Sequence, residues 1–116
     1  MSEIKSFRAA LMGLKWALSE KHFRFHLIAS FAVIIAGFYF KINETDWLFI
    51  CFAISSVLAS ELINTAIEKL ADKVEPNYNK EIGIIKDLAA SAVLIFSITS
   101  IVIAYFVFWD KLMLLF

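Results

Sequence analysis

Residues 47–59, WLFICFAISSVLA, carry no charge, and residues 60–72, SELINTAIEKLAD, follow them with no Gly or Pro to interrupt the chain. The two stretches read as one helix that starts as a membrane span and leaves lipid through a row of polar groups. Glu61, Asn64, Glu68 and Asp72 stand three, four and four residues apart. At about 100° per residue those steps keep all four on one helical face. A charge deep in a bilayer costs about 2.5–3.5 kcal/mol on insertion scales, so ionisable residues in spans face protein and mark function. Glu61 is the deepest of the row, flanked by VLAS and LIN. Glu68 and Asp72 reach the headgroup region, where the cost falls, and Asp72 is read equally well as a solvated helix-end charge beside Lys69 or Lys73.

Composition supports a membrane protein. The chain has 116 residues, 61% of them hydrophobic, with a mean hydropathy of +0.79. Soluble domains hold roughly 45–50% apolar residues. One Pro and three Gly leave little material for turns and favour a few long helices. A chain of this length makes one domain. The formal charge of zero argues against a nucleic-acid partner, which calls for a net basic face. Cys51 is alone, inside an apolar run, and reads as a small packing residue. Charges at Glu3, Lys5, Arg8, Lys15, Glu20, Lys21 and Arg24 interrupt any signal-peptide core.

The expected fold is all-α: an N-terminal amphipathic surface helix over about 3–22 and three transmembrane helices over about 25–41, 47–70 and 86–109, forming a single domain, 1–116. In the first helix Ile4, Phe7, Leu11, Leu14 and Leu18 form an apolar stripe, with Lys5, Arg8 and Lys15 off it, a pattern suited to the surface of an anionic bilayer. FHLIASFAVIIAGFYF (25–40) is the first span, KINETD (41–46) a brief polar turn, and KVEPNYNKEIG (73–83) the one loop-like stretch. Leu88–Trp109 runs without a charge. Nine of the eleven basic residues flank the N-terminus or the 69–86 segment, and only Lys41 and Lys111 lie on the other side. The positive-inside rule therefore puts the N-terminus and the 69–86 loop in the cytoplasm, with Tyr39, Trp47 and Trp109 at the opposite interface.

This topology gathers Glu20, Glu61, Asn64, Glu68, Lys86 and Asp87 in one cytoplasmic interfacial zone. Clustered carboxylates can hold a hard cation such as Mg²⁺, which takes one or two of them together with substrate phosphates. A buried carboxylate can act as a general base, because desolvation favours its neutral form. His22 and His26 are four apart, a spacing compatible with a metal ion, but they lack a third ligand and read as interfacial. No G-x-x-x-x-G-K-[ST], H-R-D or D-F-G occurs, so any nucleotide site is assembled from helical side chains.

ELINTAIEKLAD (61–72), thirteen residues, then KDLAASAVL (86–94) resembles the signature of the small integral-membrane lipid kinases of bacteria, the prokaryotic diacylglycerol kinase family. The resemblance covers nearly the whole chain. It implies a homotrimer in the bacterial cytoplasmic (inner) membrane that phosphorylates a lipid alcohol with ATP and Mg²⁺. By position it makes Glu61 the base that takes the lipid hydroxyl's proton and Asn64 its neighbour in the active site. Glu20 and Glu68 become the carboxylates that hold the Mg²⁺ of ATP, and Lys86, Asp87, Asn77, Tyr78 and Asn79 nucleotide-contacting positions. The interval from Gly13 to Glu20 is one residue shorter than in the enteric enzymes, so no role is carried over to Arg8, and the loop reads PNYN where theirs has a Ser-Glu-Tyr-His run. SEKHFRFHLIA (19–29) is more similar to the Gram-positive branch, which favours undecaprenol as acceptor over diacylglycerol. A non-enzymatic membrane subunit, with Glu61 and Glu68 paired inside an oligomer, is the alternative of a different class, and lipid-dependent ATP turnover separates the two.

Topology is directly testable. A reporter fused after Phe116 is expected outside the cytoplasm and one inserted near Asn77 inside it; both on one side would break the three-span arrangement.

Overall fold

The computed structural model describes residues 2–116 and contains four helices: α1 (Glu3–Ala17), α2 (Lys21–Tyr39), α3 (Glu44–Val74) and α4 (Lys80–Met113). No strand occurs among the described residues. The last three helices are long and apolar enough to cross a membrane. At 1.5 Å per residue, α3 (31 residues) and α4 (34 residues) extend about 46 and 51 Å, well beyond the roughly 30 Å hydrocarbon core. They continue as a helical pair past the apolar segments, and the connection between them shrinks from the eleven residues suggested by sequence to 75–79.

Each helix start is written locally. Ser2 caps α1, its Oγ accepting the Lys5 N–H at 3.3 Å. Asn43 caps α3 by accepting the Asp46 N–H at 2.8 Å, and Asn79 caps α4 by accepting the N–H groups of Glu81 and Ile82. Glu20 occupies the N-cap position of α2 but makes no capping bond with its side chain. The corner between α1 and α2 is held instead by Arg24, whose Nη1 donates to the Leu18 carbonyl at 3.0 Å. The surface helix therefore ends at Ala17, before the boundary near 22, and turns into the first span over three residues. Its apolar stripe finds no protein to cover it: Ile4, Phe7, Leu11, Leu14 and Leu18 are all exposed, as an interfacial helix requires.

α3 is the central element, packed along α4 and, over a shorter length, against α2. Its buried face is Ile50, Ala53, Val57, Ser60, Glu61 and Asn64, a run at helical spacing that is apolar at one end and polar at the other. The apolar end forms the core with Ile42, Val107 and Phe108, flanked by Val33, Phe40, Trp47 and Ile103. Asp46 and Lys111 pair at 3.7 Å on its rim. Ser100 Oγ donates to the Ala53 carbonyl at 3.2 Å, a bond between α4 and α3 of the kind that ties helices together in lipid, where burial of apolar surface gives little association.

The α2–α3 turn is a Schellman motif. Lys41 N–H bonds the Phe38 carbonyl and Ile42 N–H reaches back to that of Gly37. Lys41 sits in the left-handed region, φ 52°, a conformation costing most L-residues about 1–2 kcal/mol. The turn folds Ile42 and the Trp47 ring over Gly37, where an added Cβ would lie 2.6 Å from Trp47 Cη2 and 3.1 Å from Ile42 Cδ1.

Two substitutions in this turn are expected to act with opposite signs. Gly37→Ala, which helix propensity alone would favour by about 1 kcal/mol, should lower the thermal midpoint in detergent by an overpacking cost of about 1–3 kcal/mol. Lys41→Gly should raise the midpoint by up to about 1 kcal/mol through relief of the left-handed conformation. A stabilising Gly37→Ala would show that Trp47 does not seat as described.

Candidate active site

The polar end of the α3 face meets the ends of α2 and α4. Glu61 is only 5% exposed, far less than a carboxylate tolerates without partners. Its Oε2 lies 3.5 Å from His26 Nε2 on α2. One turn on, Asn64 is also buried; its Nδ2 donates to Glu68 Oε1 at 3.5 Å, while its Oδ1 is shut off from solvent with no partner. A buried acceptor left unpaired is uncommon and asks for a donor from outside the chain. Glu68 itself is exposed. Glu61, Asn64 and Glu68 therefore run from a buried to an open environment along a single helix face, as their spacing predicts.

The remaining residues form a charged rim. Glu20, half-buried at the α1–α2 corner, pairs with Lys69 at 3.2 Å, which ties the corner to α3. Lys86 on α4 pairs with Asp72 on α3, bridging the helical pair beyond the spans. Asp87 is exposed. In the loop, Tyr78 is 93% exposed, Asn77 donates its backbone N–H to Glu75 Oε1 at 3.1 Å, and the Asn79 carbonyl is engaged as the α4 cap. Asn79 thus has a structural duty whatever else it touches. Among the described residues, no group of three or more His, Cys, Asp and Glu side chains is arranged to hold a metal ion.

Below this zone, a groove of about 390 Å³ opens between α2, α3 and α4. Its walls are apolar, from Val33, Ile50, Ile54, Val57 and Ile101, with Ser30, Ser97 and Ser100 among them. His26 lies in its wall and touches Glu61, while Val57 in the same wall stands one turn before Glu61. A second depression separates α1 from α3, lined by Gly13, Leu14, Ala17, Leu62, Ala66 and Lys69. A buried carboxylate thus stands between an apolar groove and a charged, water-exposed rim.

Two partners were not evident from sequence patterns. His26 was read as an interfacial residue paired with His22, yet it faces Glu61. The signal was present: it is the one nitrogen base within the apolar run 25–40, and a deep carboxylate needs a companion. Lys69 was read as a flank of Asp72, and it holds Glu20 instead.

Comparison with known sequences adds an independent finding. Residues 8–108 match the family described as Prokaryotic diacylglycerol kinase, an interval that contains every residue of the site. The chain is 36% identical over 109 residues to an undecaprenol kinase of Bacillus subtilis, covering 93% of this chain and 89% of that one. A diacylglycerol kinase of Synechocystis is 32% identical over 100 residues, 84% of this chain and 57% of the relative. The diacylglycerol kinase of Escherichia coli K12 is 24% identical over 108 residues, 92% of this chain and 88% of the relative.

Proposed function

Because the chain belongs to the prokaryotic diacylglycerol kinase family, a family of membrane lipid kinases, we propose that it phosphorylates undecaprenol with Mg²⁺ and ATP at the cytoplasmic face of a bacterial inner membrane, giving undecaprenyl phosphate. The observation that carries this reading is the placement of Glu61: buried, at the junction of an apolar groove and a charged rim, beside an unpaired acceptor on Asn64. A long-chain alcohol has one polar atom on an apolar body, and this junction offers a complement to each. The choice of undecaprenol over diacylglycerol leans on the Bacillus subtilis relative.

In the reaction the lipid oxygen forms a bond to the γ-phosphorus, the bond from that phosphorus to the bridging oxygen breaks, and ADP leaves with the electron pair. Glu61 takes the hydroxyl proton as the new bond forms, and Asn64 orients the hydroxyl. Phosphoryl transfer asks the protein chiefly for positioning and charge neutralisation, which Lys86 supplies on the nucleotide side. Asp87 and the loop residues Asn77, Tyr78 and Asn79 border the same side. A Mg²⁺ arriving with the nucleotide would be held by Glu20 and Glu68. Both are oxygen donors at the open edge of the site, of the kind a hard cation takes together with phosphate and water. Bound there, the ion would neutralise charge on the transferring phosphate. Glu20 would have to exchange Lys69 for the ion as nucleotide enters.

Transfer of labelled γ-phosphate to undecaprenol versus diacylglycerol tests the acceptor; labelling of neither would overturn the reading. Glu61→Gln is expected to lower kcat by about 10²–10⁴-fold, the usual contribution of a general base, with little change in the KM for ATP. Glu68→Gln should instead raise the requirement for Mg²⁺ and ATP and be partly rescued by excess Mg²⁺. Asp72→Asn, at an exposed ion pair worth about 1 kcal/mol or less, is the milder control. Wild-type turnover by Glu61→Gln would remove Glu61 as the base.

The assembly we infer is a homotrimer, since Glu68 and the groove lie open on a single chain and polar groups in membranes turn toward other helices. If sites are shared between subunits, mixing inactive Glu61→Gln chains with inactive Glu20→Gln chains should restore part of the activity. Mixtures that stay inactive, with crosslinking that traps only monomers, would refute sharing.

A further inference from the structure

We infer that His26 is a positioning residue for Glu61: it holds one carboxylate oxygen so that the other meets the lipid hydroxyl. The inference rests on the reading of Glu61 as the base. Three observations support it. His26 Nε2 is 3.5 Å from Glu61 Oε2, and both groups are largely withdrawn from solvent, with side chains 20% and 6% exposed. No lysine or arginine pairs with Glu61 among the described residues: Lys69 pairs with Glu20, Lys86 with Asp72, and Arg24 donates to the Leu18 carbonyl. The imidazole is itself braced, because the Phe25 ring meets it edge-on at 5.5 Å and 77°, on a turn where Ser30 Oγ bonds the His26 carbonyl at 2.7 Å.

Glu has three side-chain torsions, and a base must be held within about half an ångström of its productive geometry to be effective. Asn64, the other polar neighbour, has its amide nitrogen turned to Glu68, so it does not fix the Glu61 carboxylate. Nε2 of His26, 3.5 Å from Oε2, is the group placed to hold it, and Oε1 is left as the proton acceptor. His26 also lines the apolar groove, so the same side chain that holds the base forms part of the wall along which the lipid approaches. His26 touches neither nucleotide nor reacting atoms in this arrangement and acts only through Glu61.

The test uses the full-length protein in mixed micelles with undecaprenol and Mg²⁺·ATP. His26→Ala is expected to lower kcat by about 10- to 100-fold, the scale of a misplaced catalytic group, with the KM for ATP unchanged. In His26→Gln the amide nitrogen reaches the place of Nε2 and should recover most of the rate. In His26→Asn it reaches only the place of Nδ1 and should not. In a Glu61→Gln background, His26→Ala should cause no further loss. Wild-type kcat in His26→Ala beside an impaired Glu61→Gln would overturn the inference and leave the base assignment standing. Wild-type turnover by Glu61→Gln would overturn both. Equal losses in the Ala, Asn and Gln variants, tracking a fall in thermal midpoint, would make His26 a packing residue and overturn the inference alone, as would losses from Glu61→Gln and His26→Ala that multiply.

Discussion

A carboxylate in a lipid-crossing helix is tolerated only where protein replaces the water it has lost, and Glu61 imposes that condition on its surroundings. The condition accounts for the partner on α2, since His26 sets a polar side chain 3.5 Å from a carboxylate otherwise facing hydrocarbon. It accounts for the change of character along α3, whose inward face is apolar through Val57 and polar from Ser60. It also accounts for the helix continuing straight past the membrane. A turn at Glu61 would free backbone groups at the depth where they are hardest to satisfy, whereas an unbroken helix carries the row of polar side chains outward with every backbone bond made.

The molecule thereby divides into two ends with different physics. At one end, the Schellman turn with Trp47 seated on Gly37, the Ile50–Val107–Phe108 core and the Asp46–Lys111 pair join three helices by close packing. At the other end, contacts are ion pairs between side chains on separate elements: Glu20 with Lys69, Asp72 with Lys86. Such exposed pairs are weak and readily exchanged. Contacts of that kind leave this end able to rearrange, and the packed end supplies the rigidity that the other lacks.

How much of this was legible in sequence follows from the range of each signal. Helix periodicity and charge runs are local, so the all-α fold, the surface helix, the three spans and the common face of Glu61, Asn64 and Glu68 could all be read from spacing. The ends of the helices were less accessible, because they depend on caps: Asn79 extends α4 back to Lys80, and Arg24 closes the first corner early, at Ala17. Contacts between helices were out of reach. Nothing in a spacing rule says that His26 meets Glu61 rather than His22, or that Lys69 leaves its own helix for Glu20, since these depend on the rotation and crossing of whole helices. The motif shared with the lipid kinases bridged part of that gap by naming the residues of the site, without saying which of them touch.

One consequence follows from the lengths of the helices. α3 and α4 have several turns to spare and can accommodate a thicker or thinner bilayer by tilting or by moving more of themselves out of it. α2 cannot. Its 19 residues rise about 28 Å, near the hydrocarbon thickness itself, and both its ends are tied, by Arg24 to α1 and by the left-handed Lys41 to α3. Hydrophobic mismatch is therefore borne by α2. A bilayer that strains it would pull on the corner where Glu20 sits and on the turn that carries His26.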